Sequence, residues 1–190
     1  SEIPLTISSQ TMAWIQRHAP RLPEAAPERI LSELQRFVRG DNADAAITTL
    51  KTLQLLRPWA AEGQLPAPAD AEGLSSTEAA FALPLSRLTA LISDEGMIQL
   101  RASRALRQRC ERLRFWQERT GQAPESLREP DRLQLHEELE EDLPALALQL
   151  TMPEKEIWLR RWRNAEDPLF HPRAPIDGTS LLTALGIQPG

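Results

Sequence analysis

Residues that favour β-strands are scarce in this chain. It contains no tyrosine, and Val38 is its only valine. Sixteen prolines and eight glycines separate apolar stretches with the three- and four-residue spacing of helices, and none alternates convincingly between apolar and polar residues. Because strands rely on β-branched and aromatic residues in alternation, this pattern predicts an all-α protein.

The first helices are marked by prolines and a glycine. Thr11 to about Ala19 is predicted to form a helix that stops before Pro20. The next helix is predicted to begin at Pro27, a residue suited to a first turn, and to end at Gly40. Its inner face is predicted to carry four apolar residues at helical spacing: Ile30, Leu34, Phe37 and Val38.

Two capping boxes predict helix starts in the second half. In each, a hydroxyl residue is followed three positions later by glutamate, at Ser75–Glu78 and at Thr151–Glu154. Pro84 is predicted to break the first of these helices, and Pro144 to interrupt a helix over 133–150. Residues 164–177 are predicted to form an extended, proline-rich connector.

The overall composition excludes several classes of protein. A net charge of −5 argues against a surface coated in basic residues, and no apolar run approaches the roughly 20 residues that cross a bilayer. We therefore expect no membrane partner. Cys110 is the only cysteine, so an intrachain disulfide is impossible and a reducing, cytoplasmic location is expected.

The segment Arg101–Arg119 is the strongest candidate for a binding surface. It holds seven arginines against two glutamates, and Ser103 is predicted to cap its helix. Leu106, Cys110 and Leu113 would face the core, which leaves arginines on the opposite side to follow a phosphate backbone. The candidate RNA-binding residues here are Arg101, Arg104, Arg107, Arg109 and Arg112. The alternative is a solvated helix face, partly neutralised by the acidic run 137–142.

A second basic patch lies near the end of the predicted helices. Arg160, Arg161 and Arg163 are candidate RNA-binding residues. Trp158 and Trp162 lie four residues apart on the same helix and could stack an unpaired base. The simpler alternative is that at least one of these tryptophans belongs to the core.

Motifs at both ends and in the middle resemble one family. The last fourteen residues begin at Asp177, and from Gly178 to Gly190 they follow a G-x-x-L-L-x-x-L-G-x-x-P-G type of run. The start resembles F-x-I-x-x-x-T-x-x-x-I, with Leu5 in place of the aromatic residue, and 27–34 resembles E-R-I-x-x-E. Residues 100–107 resemble an L-R-L-S helix start, with Ala102 in place of the second leucine. Together these motifs resemble the neck and body of the class II tRNA nucleotidyltransferase and bacterial poly(A) polymerase family.

This resemblance implies a domain organisation. We expect a neck-like helical domain over 1–60, a linker or long loop over 61–74 and a helical body over 75–163. A connector and the start of a tail would occupy 164–190. In the family, the motif matched by Glu28, Arg29 and Glu33 supports the junction between the catalytic head and the neck, so we expect this face to be unusually exposed without a head.

The catalytic motifs of the family are missing from the sequence. No D-x-D pair of metal-binding aspartates occurs, and Asp41 and Asp44 have the wrong spacing. No catalytic, metal-binding or cofactor-binding residues are therefore predicted in this chain. The resemblance implies that Mg²⁺ and CTP or ATP would serve the missing head. We expect a fragment or headless relative that does not catalyse alone.

Two functions remain open from the sequence. The first is a helical RNA-binding module that positions the 3′ end of tRNA or another RNA for nucleotide addition, with the catalytic head as its protein partner. The second is a helical protein-interaction scaffold with no RNA role, which the negative net charge favours. The terminal motifs favour the first.

Overall fold

The computed structural model describes residues 7–60, 71–120 and 126–171, together with Gly178 and residues 184–186. Across these ranges the chain is helical and contains no strand, apart from one isolated bridge between Ala60 and Ile92. The predicted all-α class is confirmed.

The described ranges contain nine α-helices and one 3₁₀ helix. In chain order they are α1 (Ser9–His18), a 3₁₀ helix (Ala19–Glu24), α2 (Pro27–Arg39), α3 (Ala43–Thr52), α4 (Ser76–Leu91), α5 (Asp94–Gln99), α6 (Arg104–Arg119), α7 (Glu129–Leu139), α8 (Leu143–Ala147) and α9 (Met152–Arg163).

Helix α4 is the centre of the packing. Helices α2, α6 and α8 all contact it, and every residue from Leu85 to Leu91 is buried. A helix that is surrounded by neighbours buries residues on several sides rather than along a single apolar stripe. The prediction that Pro84 breaks the helix is wrong, because Pro84 lies inside α4. We attribute its tolerance to the neighbouring helices, whose packing offsets the lost backbone hydrogen bond.

One buried cluster extends from Leu31 on α2 to Phe170 beyond α9. Its largest fully buried side chains include Trp116 and Trp158. The proposed division into neck, linker and body stays a prediction, and most of the expected linker, 61–70, lies outside the described residues.

The predicted capping signals are confirmed. The Ser75 hydroxyl accepts from the backbone N–H of Glu78, whose carboxylate accepts from Ser75 N–H at 2.7 Å. The Glu154 carboxylate likewise accepts from the backbone N–H of Thr151 at 3.2 Å. Ser103 caps α6 by accepting from Leu106 N–H. These local pairings fix helix starts with little help from tertiary contacts.

The predicted inner face of α2 is partly wrong. Leu34 and Val38 are buried as expected, but the side chain of Phe37 is 42% exposed. Leu31 is buried in its place. The helix is rotated so that Leu31, Leu34 and Val38 meet the core, three and four residues apart.

The connector after α9 is not extended over its described part. Asp167 accepts backbone hydrogen bonds from Leu169 and Phe170, which closes a turn. Both of these residues are buried, so 164–171 folds back onto the core. The rest of the predicted connector and most of the C-terminal helix-and-turn motif lie outside the described residues.

Candidate nucleic-acid interface

Seven of the eight candidate RNA-binding arginines divide into two groups. Four are held by carboxylates of the same molecule: Arg101 by Glu28, Arg109 by Asp142, Arg161 by Asp167 and Arg163 by Glu78. In the described ranges, Arg104, Arg112 and Arg160 are exposed and form no ion pair. An arginine without an internal carboxylate partner keeps its whole guanidinium for a phosphate. Sequence spacing could not separate the two groups.

The Arg109–Asp142 pair ties α6 to the start of α8. Nε and Nη2 of Arg109 lie 2.9 and 2.6 Å from the two Asp142 oxygens, in a bidentate arrangement. The Asp142 side chain is only 7% exposed. Hydrogen bonding to Asp142 raises the pKa of Arg109. The acidic run 137–142 therefore holds Arg109 in place rather than forming only a solvated face.

The Arg163–Glu78 pair ties the end of α9 to the start of α4. Arg163 reaches both Glu78 oxygens, at 2.8 and 2.5 Å, and also donates to the carbonyl oxygen of Gly73. The guanidinium of Arg163 lowers the pKa of Glu78 to about 2. Since Glu78 also caps α4, Arg163 is fixed by the fold.

Arg101 lies outside α6. It precedes the capping residue Ser103 and adopts a left-handed backbone, with φ of 54°. Its Nη1 donates to Glu28 Oε1 at 2.8 Å, and this hydrogen bond lowers the pKa of Glu28. Two candidate sites that the sequence kept separate are therefore in contact.

Arg104, Arg112 and Arg119 lie along the outer side of α6. We call these three residues the arginine stripe. At about 100° per residue, these positions lie within an arc of about 80°, and they span about 22 Å of helix axis. The opposite side carries the buried residues Cys110 and Leu113. The side expected to face the core is confirmed.

Arg107 belongs to neither group. It is half-buried on a flank of α6, and its Nε is buried without a hydrogen-bond partner in the part of the chain that the structure describes. Its position to one side of the arginine stripe makes it the least accessible of the candidates on this helix.

A polar cleft between α6 and α7 was missed by the sequence reading. It has a volume of about 250 Å³, and its lining residues are Gln108, Glu111, Arg112, Phe115, Gln134 and Glu138. Gln108, Arg112 and Phe115 share the outer arc of α6, which a helical projection would have shown. The α7 residues could not have been found, because their position depends on how α7 packs.

The two tryptophans of α9 have structural contacts. Trp158 is fully buried and lies near Phe170, with 5.8 Å between ring centroids. Trp162 is half-buried, and its indole N–H donates to the carbonyl oxygen of Glu140 at 2.7 Å. The alternative of a core role is confirmed for Trp158, which cannot stack an external base without unfolding.

The three junction-motif residues are exposed. Glu33 pairs with Arg36, whereas Arg29 forms no ion pair within the described ranges. Arg29 and Glu33 also border a groove of about 300 Å³ between the 3₁₀ helix, α2 and α3. Apolar side chains supply most of its lining: Leu22, Ile30, Phe37, Leu50 and Leu55. The expected exposure of this face agrees with the structure, while its role stays a prediction.

The described part of the chain offers neither a membrane-spanning helix nor a metal-binding cluster. There, no helix is both long and apolar enough to span a bilayer. In the same ranges, no three side chains of His, Cys, Asp or Glu come together as a metal ion would require. Asp44 is one of the two aspartates whose spacing does not fit a D-x-D pair. It accepts a hydrogen bond from the buried Arg87 at 3.1 Å.

An all-helical fold with an exposed arginine stripe belongs to the class of structures that can hold an RNA backbone. Residues 4–62 match a family model described as the probable RNA and SrmB-binding site of polymerase A. This stretch, which holds α1 to α3, therefore resembles the RNA-binding region of poly(A) polymerase. No curated protein and no solved structure matches the chain.

Proposed function

We propose that this chain is the RNA-gripping part of a nucleotidyltransferase of the poly(A) polymerase or tRNA nucleotidyltransferase type. It holds tRNA or another RNA so that the 3′ end reaches a catalytic head. The nucleotide addition itself, with Mg²⁺ and CTP or ATP, belongs to that head.

The observation that carries this proposal is the match of residues 4–62 to an RNA-binding region of polymerase A. The arginine stripe on α6 supports it from outside the matched region. Three guanidinium groups on one side of a helix suit contacts to successive phosphates, which position an RNA without reading its sequence. With a net charge of −5, the chain relies on local groups of exposed arginines for such contacts rather than on a generally basic surface.

The apolar groove beside Arg29 and Glu33 supports the part of the proposal that concerns a catalytic head. Its lining is almost entirely hydrocarbon, and Phe37 adds a large exposed ring. Exposed apolar surface of this kind is typical of protein contact sites and unsuited to phosphate. We assign this groove to the catalytic head, next to the motif expected at the head–neck junction.

The test is RNA binding by the full chain across a salt series. We expect a tRNA lacking its 3′ end to bind better than a scrambled hairpin, and binding to weaken steeply between about 50 and 200 mM salt. The double variant Arg104→Glu, Arg112→Glu should bind more weakly, with a salt slope reduced by roughly one to two.

Arg128→Glu is the matched control. It makes the same charge change as Arg104→Glu or Arg112→Glu alone, and half that of the double variant, at the start of α7, where Arg128 is 80% exposed and pairs only locally with Asp131. The control should bind like the unchanged chain. Equal loss in both variants, or no salt-sensitive binding at all, would contradict the RNA-gripping function and favour the protein-interaction scaffold.

The apolar groove of α2 and α3 also supports the scaffold, as does the negative net charge. The family description also names a protein, SrmB, beside RNA. A purely protein-binding module would bind its partner through the groove with little dependence on salt, and the stripe variants would leave that binding unchanged.

A further inference from the structure

The cleft between α6 and α7 differs chemically from the arginine stripe that runs past it. A phosphate site needs donors and positive charge. This cleft instead combines one arginine, Arg112, with two carboxylates, Glu111 and Glu138, and two amides. The carboxylates would repel a phosphate, so a backbone contact does not explain the cleft.

An aromatic stack lies at one side of the cleft. Phe115 lines it, and the Arg119 guanidinium carbon lies 4.1 Å from the centroid of the Phe115 ring. The edge-on contact with the buried Trp116, at 5.4 Å between centroids, fixes the Phe115 ring against the core. The Phe115 ring and the guanidinium stacked over it form a planar surface of the kind on which a nucleobase stacks.

The far wall of the cleft is held in place before any ligand binds. One Glu138 oxygen accepts from the indole N–H of Trp116 at 2.9 Å, and the other accepts from the amide of Gln134 at 3.0 Å. Both carboxylate oxygens of Glu138 therefore already have a hydrogen-bond partner, and the amide of Gln134 has a fixed orientation. Preorganised walls reduce the entropy lost when a ligand binds.

The near wall still has groups to offer a ligand. In the described ranges, Gln108, Glu111 and Arg112 form no side-chain hydrogen bond with the protein. Arg112 is a donor, Glu111 is an acceptor, and the amide of Gln108 is both. A carboxylate acceptor suits the exocyclic amino groups of adenine, cytosine and guanine, whereas uracil has none.

We propose that this cleft binds one unpaired nucleobase that carries an exocyclic amino group, beside the backbone held by the arginine stripe. Its volume of about 250 Å³ lies below the roughly 300–1,000 Å³ of typical small-molecule sites, which suits a base rather than a whole nucleotide. The proposal rests on the proposed RNA-binding function and extends it from backbone to base.

The experiment uses the full chain and hairpin RNAs with one identical stem. One hairpin is blunt, and the others carry a short 3′ overhang of cytidines or of uridines. Cytosine and uracil are close in size, so this comparison isolates the amino group. We expect the cytidine overhang to bind better than both the uridine overhang and the blunt hairpin.

Phe115→Ala should remove most of that advantage. Stacking on an aromatic side chain contributes about fivefold or more in affinity per base, so the cytidine overhang should weaken by at least that factor relative to the blunt hairpin. Phe81→Ala is the control, because Phe81 is a surface phenylalanine on α4 that lies outside the cleft. Circular dichroism would establish that both variants remain helical.

The outcomes distinguish a failure of the base-pocket proposal from a failure of the proposed RNA-binding function. If all hairpins bind with equal, salt-sensitive affinity, or if Phe115→Ala and Phe81→Ala behave alike, the base pocket is wrong while RNA binding stands. If no hairpin binds in a salt-sensitive way, the RNA-binding function itself is wrong, and the pocket is wrong with it.

Discussion

Arg101 donates a hydrogen bond to Glu28 across 73 residues of sequence, with 2.8 Å between Nη1 and Oε1. The start of α2, in the segment similar to polymerase A, thereby meets the chain that leads into α6. A cation already held by a carboxylate is a poor phosphate ligand. We therefore remove Arg101 from the arginines that would carry RNA binding and keep Arg104 and Arg112.

The first prediction concerns this same pair. Both side chains are more than half exposed, so water and salt screen their attraction. Arg101→Ala should leave the urea midpoint of unfolding nearly unchanged, and RNA binding should fall less than in Arg104→Ala. A fall in RNA affinity as large as that of Arg104→Ala would return Arg101 to the binding surface.

The second prediction separates an arginine that stabilises the fold from one that is proposed to bind RNA, both on α6. Arg109→Ala leaves Asp142, whose side chain is 7% exposed, without its bidentate partner. The free energy of unfolding should fall by about 1–3 kcal/mol. Arg112→Ala on the same helix removes no hydrogen bond or ion pair within the described ranges and should change it by under about 0.5 kcal/mol. Urea unfolding of both variants measures the difference.

The third prediction is a pH dependence caused by Glu78. Its pKa is lowered from an ordinary value of 4.5 to about 2, mainly by the Arg163 hydrogen bond. Between these values the unfolded chain binds the proton and the folded chain does not. The stabilisation is therefore complete above about pH 4.5 and is lost as the pH falls towards 2.

Glu78→Gln tests this assignment. The variant should be less stable near pH 6, and the difference from the unchanged chain should shrink as the pH falls from 4.5 to 2. Urea unfolding at a series of pH values gives the comparison. A difference that stays constant across this window would mean that Glu78 titrates normally in the folded protein.

The fourth prediction concerns Gly96 in α5. A Cβ added there would lie 2.3 Å from the carbonyl oxygen of Trp59 and 3.0 Å from a methyl group of Ile92. Because the nearest atom is backbone, α5 would have to move. Gly96→Ala should therefore destabilise the fold by at least about 1–3 kcal/mol.

Gly40 provides the matched control for that substitution. It ends α2 with φ of −69°, and an added Cβ would come no closer than 3.7 Å to other atoms. Gly40→Ala should change the melting temperature little. If Gly96→Ala melted at the same temperature as the unchanged chain, the close approach of α5 to Trp59 would be wrong.

Local signals in the sequence were reliable for the fold. The capping boxes at Ser75 and Thr151 predict helix starts because both partners lie within one turn. The prediction for Pro84 is wrong because the packing of α4 on three neighbouring helices outweighs the local cost of a proline inside a helix. The sequence around Pro84 does not show this packing. The turn at Asp167 was missed for a related reason, since it is fixed by Arg161 and by burial of Phe170.

The candidate site was less predictable than the fold. Helical spacing placed Arg104 and Arg112 on the outer face correctly, because their position depends on α6 alone. It could not show that Arg109 and Arg163 are held by carboxylates from other elements. Charge counting along a sequence overstates a binding surface wherever the fold supplies internal partners.

The single cysteine gives the protein its own unfolding reporter. Cys110 is fully buried on the inner side of α6, and burial raises the pKa of its thiol. A thiol-specific reagent would therefore react only when this helix leaves the core. Because the arginine stripe lies on the other side of the same helix, the labelling rate of each variant would distinguish a lost RNA contact from a loosened α6, with no introduced label.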